Sequence, residues 1–395
     1  VVDPAPPPAT PPVPLRTIAR EWTRIGCLGF GGPPAHIALL RELCVTRREW
    51  IAAPDFEDAI AATNLLPGPA STQLAIFTAW RLRGRPGALI GGFCFITPGL
   101  ILILALAAIF LASDNPAWVR GAAAGAGAAV AAVAVHAATT LIPASWQRAG
   151  ETRTARARWI AYAAAGLASA ALIGPWLVLV LLAAGLAEIV IRARPAHSEP
   201  KRGRSAAWPL ASAAGIAGGG LGALAWVALK VGALSYGGGF VIIPLMQADA
   251  VDRYGWMTGE QFLNAVALGQ ITPGPVVQTV AVVGYAAAGV PGGLLAAAVA
   301  FAPSFVFVLA GGRYFDRLRG DARVQAFFTG AGPAVIGAIA GSAIPLALVL
   351  QHVWQFAVLG AAAVWLLAAR RGVVSTLLGA GLLGVGAALA GWPVG

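Results

Sequence analysis

Residues 31–69 read GGPPAHIALLRELCVTRREWIAAPDFEDAIAATNLLPGP, and residues 237–275 read GGGFVIIPLMQADAVDRYGWMTGEQFLNAVALGQITPGP. In the first stretch Gly31-Gly32 is followed by twelve residues, Val45, four residues, Trp50, sixteen residues and Pro67-Gly68-Pro69. In the second, 206 positions on, Gly237-Gly238, Val251, Trp256 and Pro273-Gly274-Pro275 keep the same spacings. Self-similarity over so long an interval marks a duplicated structural unit. The register extends outward: offset 206 also pairs Phe56 with Phe262, Asp58 with Asn264 and Asn64 with Gln270. Beyond the Pro-Gly-Pro the offset becomes 205 and pairs Gln73 with Gln278, Pro86 with Pro291 and Pro98 with Pro303.

Both stretches sit in a chain that is 58% hydrophobic and 11% charged, where an ordinary soluble domain carries about 25% charged residues. Apolar runs long enough to cross a hydrocarbon core of about 30 Å recur between residues 87 and 391, so an integral membrane protein is expected. The 50 glycines and 28 prolines suit close helix packing and deliberately broken segments. The net charge of +11 is accounted for by Lys and Arg in cytoplasmic loops, and an anionic substrate would add to it. Nucleic-acid binding is not expected, because no basic stretch interleaves with aromatics in a soluble segment. Cys27, Cys44 and Cys94 are single and widely spaced, which points to neither a disulfide framework nor a metal site. No cofactor is implied.

The pattern divides into a Pro-rich tail (1–14), a first repeat (15–192), a basic cytoplasmic linker (193–205), an additional apolar span without a partner (206–229) and a second repeat (230–391). Leu15 to Ile25 reads as an interfacial amphipathic helix, with Arg16, Arg20 and Arg24 opposite Leu15, Ile18 and Trp22. Candidate spans fall near 87–112, 117–142, 158–174 and 175–192, then near 292–312, 324–349, 353–369 and 373–391. With the additional span this gives nine crossings, or thirteen if the segments broken at Gly-Gly and Pro-Gly-Pro also cross. Lys and Arg in short loops stay inside. Arg81, Arg83 and Arg85 mark an inner loop, while the equivalent stretch 286–289 carries no charge. The two halves are therefore expected to be inverted, giving an all-α polytopic protein of two inverted-topology repeats with broken or re-entrant helices. The linker's Lys201 and Arg202 also lie inside. Trp50 and Trp256 are expected as interface anchors.

Inverted repeats with discontinuous helices are the architecture of alternating-access carriers, whose substrate lies near the midplane. A Pro-Gly-Pro ends one half-helix and starts another, leaving amides free at the new N-terminus. Together with the positive end of the helix dipole they make an anion site. Gly31, Gly32, Gly237, Gly238 and Gly239 offer close backbone approach at the other breaks. The candidate substrate-binding residues are these glycines, Pro67, Gly68, Pro69, Pro273, Gly274 and Pro275, with Asn64, Ser71, Thr72, Gln73, Gln270, Thr272 and Gln278 as polar neighbours. Polar groups at a broken helix in hydrocarbon are costly unless they line a cavity or bind something; packing and kinking alone are the alternative reading. Lys230 stands in an apolar stretch with Arg24 as its counterpart, a basic pair that could balance a dianion, or that could snorkel to the interface. His36 and His136 are candidates for a coupled proton, or else satisfied structural histidines. Asp58, matched by Asn264, is a poor candidate for a symmetric carboxylate role. No GxxxxGK[ST] phosphate loop is present, so movement of a substrate would be driven by gradients.

At the doubled GG-x12-V-x4-W-x16-PGP the chain resembles the chromate ion transporter family in its long two-domain form, over roughly residues 15–391. That resemblance implies export of chromate from the bacterial cytoplasm across the plasma (inner) membrane, giving chromate resistance, as exchange with protons or other anions. It also implies motif roles for Gly31, Gly32, Val45, Trp50 and Pro67 to Pro69, and for Gly237, Gly238, Val251, Trp256 and Pro273 to Pro275. One departure from internal symmetry is Ser235 opposite Gly29. Sulfate resembles chromate in charge and shape, so a sulfate-like oxyanion, taken up or exported, is the neighbouring reading, and a passive oxyanion channel is another. A membrane-embedded enzyme is not expected, since the spans lack clustered His, Cys or carboxylates. A homodimer in the lipid bilayer is compatible with this architecture.

Overall fold

The structure, a computed structural model, describes residues 13–63, 68–112, 114–172, 177–193, 220–235, 242–311 and 321–394. The described residues form helices and connecting turns, with no strand among them. The first half comprises α1 (Leu15–Leu28), α2 (Pro33–Arg41), a π-helical turn (Glu42–Arg47), α3 (Ala53–Thr63), α4 (Ala70–Phe110), α5 (Ala117–Ala149), α6 (Arg153–Leu172) and α7 (Leu177–Arg192). The second comprises α8 (Leu221–Leu234), α9 (Ile242–Gln247), a π-helical turn (Ala248–Arg253), α10 (Gly259–Ile271), α11 (Thr279–Gly311), α12 (Ala322–Leu348), α13 (Val353–Ala363, continued by a π-turn to Ala368) and α14 (Val373–Leu389).

The duplicated spacing reappears in the elements. At offset 206, α1 and α8 match at both ends, as do the two π-turns that hold Val45 and Val251, and α3 and α10 share their start. Glycine and proline explain the punctuation. Gly32, at φ 75°, turns the chain into α2, where two prolines occupy the first turn and forfeit only amides that a helix start leaves unpaired. Of the stretch expected as an additional span, 206–219 lies outside the described residues, and the remainder opens α8, the counterpart of α1.

α4 and α11 are helical hairpins. α4 departs from helical geometry at Arg83 (φ −147°, ψ 21°) and Gly84 (φ 60°, ψ −149°), and α11 does the same at Ala288 (φ −154°, ψ 30°) and Gly289 (φ 62°, ψ −155°). Residues twelve apart in a continuous helix would stand about 18 Å from each other. Here a Cβ on Gly91 would collide with the Cβ of Ala79, and Gly284 and Gly292 touch backbone to backbone. Each hairpin thus has a short first limb that starts at the Pro-Gly-Pro and a long second limb folded back along it.

The first helix of each half is laid across its hairpin at a glycine. A Cβ on Gly26 would stand 2.6 Å from the Phe95 carbonyl, and one on Gly232, its counterpart, would collide with the Ala300 carbonyl. The expected amphipathic helix is therefore present as α1, with Arg16, Arg20 and Arg24 exposed, but its apolar face packs on protein rather than lipid. Trp22 and Ile18 are fully buried, and the Trp22 indole donates to the Ala75 carbonyl at 2.7 Å.

The long helices exchange partners between halves. α5 packs against α13 and α14, while α12 packs against α6 and α7. Small residues make this possible: Gly121 and Gly125 meet the backbone of Gly384 and Ala380, Gly166 meets Ala334, and Gly337 meets Ala163. α4, α5, α12 and residues 276–311 are each long and apolar enough to cross a membrane, and α8, α13 and α14 are shorter apolar helices. α6 and α7 fill the stretches expected near 158–174 and 175–192, and their charges meet in one cluster where Glu188 accepts from Arg158 (3.0 Å), Arg192 (2.8 Å) and Tyr162 (3.2 Å).

Candidate transport site

Each Pro-Gly-Pro corner is seated on the other half of the chain. The amide of Gly274 (φ 107°) donates to the carbonyl of Gly29 at 3.0 Å, and Gly32 lies 3.6 Å, measured from an ideal Cβ, from Val276. Gly99, on the second limb of α4, is so close to the Pro273 carbonyl that no side chain would fit. In the opposite sense, Gly68 (φ 121°) faces the Gly232 carbonyl and Ser304 Oγ, each 3.4 Å from its ideal Cβ position. The first limbs begin at these corners without a side-chain cap, so first-turn amides and the positive end of the helix dipole are directed at them.

Polar side chains collect around the corners. Ser71, Thr72 and Gln73 on the first limb of α4 are buried, as are Gln270, Thr272 and Gln278 at the second corner. Ser71 meets His36 Nδ1 at 3.2 Å, and His36 Nε2 meets the Gly29 carbonyl at 2.9 Å. A carbonyl only accepts, so Nε2 carries the hydrogen, and the neutral ring accepts the Ser71 hydroxyl at Nδ1. Gln73 packs its amide against Gly68. Gln278 donates to the Ile96 carbonyl at 2.8 Å, and Thr272 bonds back to Leu268 at 2.8 Å. Thr72 Oγ1, Gln278 Oε1, Gln270 Nε2, Ser235 Oγ and Ser304 Oγ are buried with no hydrogen-bond partner among the described residues. Five unpaired buried polar atoms along these elements is a concentration that ordinary cores avoid.

The remaining expected residues are placed as follows. Asn64, Pro67, Gly237, Gly238 and Gly239 lie outside the described residues. Gly31, at φ 94°, is exposed, and Pro69 and Pro273 to Pro275 are buried. Lys230 is half-buried and pairs with Asp249, whereas Arg24 lies on the exposed face of α1. His136 is half-buried on α5. Trp50 is half-buried beneath Arg48, whose guanidinium lies 5.7 Å from its ring. Trp256, also half-buried, stacks on Tyr254 at 4.7 Å, with its indole nitrogen buried and unpaired among the described residues.

Two features had no clear signal in the sequence. Ser304 is the offset-205 counterpart of Gly99, yet its position against Gly68 appears only once the halves are packed together. The other is a joint between the first helix and the π-turn of each half, built with reversed charge. In the first half Glu21 on α1 accepts from Arg47 (3.1 Å) and Arg48 (3.3 Å), and in the second Lys230 on α8 pairs with Asp249. Burial pushes the Glu21 carboxyl up, but Arg20, Arg48 and Arg47 outweigh it and hold it below its usual range. α1, at 14 residues, is too short to span a bilayer.

A cavity of about 330 Å³ runs along α10 past Asn264, Leu268 and Ile271, walled by α5 and α14, and ends one residue short of Thr272 and the second corner. It shares the lining residues Phe110, Ala123 and Asn264 with a smaller cavity of about 170 Å³ that Arg120 and Glu260 also line.

The model of the chromate transporter family matches the chain twice, over residues 16–189 and 222–385, one match on each half. The chain belongs to the chromate transporter family. It is 33% identical over 342 residues to a chromate transport protein of Cupriavidus metallidurans, covering 84% of this chain and 82% of that one. It is 31% identical to a chromate transport protein of Pseudomonas aeruginosa (86% and 82% covered) and 27% identical to a probable chromate transport protein of Synechococcus elongatus (84% of each). No solved structure matches the chain. Membership makes this a membrane protein for transport of an oxyanion, in a family of transporters rather than enzymes. The two family matches meet the two sets of elements described above, so each chromate transporter unit contributes one hairpin and one Pro-Gly-Pro corner.

Proposed function

We propose that this chain exports chromate by alternating access between two inverted repeats, with the oxyanion held at a site between the Pro-Gly-Pro corners. The observation that carries this reading is the reciprocal seating of the corners. Each corner rests on the opposite half, so sliding or rocking of one half against the other changes what surrounds it. The first limb of α4, 70–82, is about 20 Å long and runs from an exposed turn with Arg81, Arg83 and Arg85. A corner at its inner end therefore falls near the middle of a bilayer about 30 Å thick. Arg-rich chain at one hairpin turn and uncharged chain at the other supports opposite orientations of the two halves.

Gly68, Pro69 and Pro273 to Pro275 are buried in this conformation, as expected for an occluded state. For a dianion the membrane potential contributes about 4.6 kcal/mol per 100 mV toward the outside, from about 2.3 per charge, so export needs no ATP. His36 is the better placed of the two proton-coupling candidates. A proton on Nδ1 would turn Ser71 from donor to acceptor in the first turn of α4, at the corner itself.

The test is radiolabelled chromate flux in proteoliposomes with the pH gradient and the potential clamped separately and sulfate as competitor. Saturable flux with counter-transport of unlabelled chromate is expected. Flux that dissipates the gradient without counter-transport would replace the carrier by a channel.

A further inference from the structure

The two corners are related by the duplication but differ in what lines them. At the second, two positions are closed by glycine backbone: Gly29 takes the Gly274 amide on its carbonyl, and Gly99 lies directly on the Pro273 carbonyl with no room for a Cβ, while Gln278 packs against both Gly99 and Gly274. At the first, the counterparts of those two glycines are serines, Ser235 at offset 206 and Ser304 at offset 205. Both are fully buried, and neither hydroxyl has a partner among the described residues. Ser304 Oγ lies 3.4 Å from the ideal Cβ position of Gly68, and Ser235 caps α8 three residues after Gly232, whose carbonyl faces the same glycine. Thr72 Oγ1, in the first turn of α4, is likewise buried and unpaired.

An unpaired buried hydroxyl is destabilising, and the second corner demonstrates that glycine serves at both equivalent positions. Packing alone therefore gives no reason for Ser304. A ligand that accepts hydrogen bonds does. We propose that the oxyanion is bound at the first corner alone, by the Ser304 and Thr72 hydroxyls together with the uncapped amides of the first turn of α4, while the second corner is a closed structural joint. This rests on the transport reading above. The ligand class is a tetrahedral dianion whose oxygens accept from neutral donors. Thr72 belongs to the first half and Ser304 to the second, so separation of the halves would dismantle such a site.

The experiment is equilibrium binding of sodium chromate to the purified full-length protein in detergent, together with its chromate-induced thermal shift. Ser304→Ala and Thr72→Val are expected to weaken chromate binding at least about ten-fold each, since each loses a hydrogen bond to a charged group. Neither substitution should lower the melting temperature measured without chromate, because no protein partner is lost. Ser169→Ala removes another buried, unpaired hydroxyl, on α6, and should bind as the wild type does. Wild-type affinity in both Ser304→Ala and Thr72→Val overturns this assignment and leaves the transport reading standing. A wild-type protein that neither binds nor moves chromate overturns both.

Discussion

Gly274 donates its amide to the carbonyl of Gly29 at 3.0 Å, joining the Pro-Gly-Pro of the second half to the glycine break of the first. The same carbonyl receives His36 Nε2 at 2.9 Å. One backbone oxygen thus fixes a corner, a histidine ring and the end of α1. A Cβ on Gly29 would run into the His36 ring and lie 2.9 Å from the Ile25 carbonyl. Gly29→Ala should cost about 1–3 kcal/mol through overpacking, read as a lower melting temperature in detergent. An unchanged melting temperature would mean that this three-way contact does not hold the fold.

Lys230 is an ion-pair partner of Asp249, whose side chain is 7% exposed. Lys230→Met strands a nearly buried carboxylate and should destabilise by about 3 kcal/mol. Adding Asp249→Asn should restore most of that stability. If Lys230 instead serves the substrate directly, the double variant will be stable yet unable to bind chromate, and a chromate binding measurement on it separates the two roles.

The fold class was legible because the signals that carry it are local. Hydropathy, loop arginines and the doubled glycine and proline spacing place α7, α12, α13 and α14 to within a few residues and the second limbs of α4 and α11 likewise, while α5 runs seven residues beyond its expected end. What remained hidden is tertiary. The turns at Arg83-Gly84 and Ala288-Gly289 fall where an arginine-marked loop and its uncharged equivalent were expected, but the close packing of the two limbs of each hairpin has no local signal. Trp22 and Ile18 suggest a lipid-facing stripe, since hydropathy cannot distinguish lipid from the flank of α4. Of the polar residues near the corners, those in the motif could be named in advance. Ser304 could not, because what gives it meaning is contact with the opposite half.

Gly26 and Gly232 make the same helix crossing in the two halves, against Phe95 and Ala300. Gly26→Leu and Gly232→Leu should each destabilise by about 1–3 kcal/mol or more, and to a similar extent, as measured by thermal unfolding. A large effect at one position and none at the other would break the structural equivalence of α1 and α8.

Glu21 is held below the ordinary carboxylate value of 4.5 by its three arginines. A depressed folded-state pKa contributes stability that is present above the unfolded value and lost as pH falls through the folded one. The wild type should therefore be more stable than Glu21→Gln at neutral pH, and the advantage should shrink as pH drops below about 4.5. Thermal melts of both proteins across that range supply the comparison. A gap independent of pH would assign the effect to packing.

The central claim is that an oxyanion passes between the two halves at their Pro-Gly-Pro corners. It is tested most directly by chromate flux in proteoliposomes for the wild type and for Gly68→Leu and Gly274→Leu, each confirmed as folded by its elution in detergent. Both glycines have φ above 100°, a region costly for any L side chain, and leucine would also fill the space between the halves. Saturable wild-type flux that is abolished in both variants is the result expected. Undiminished flux in either folded variant would contradict it.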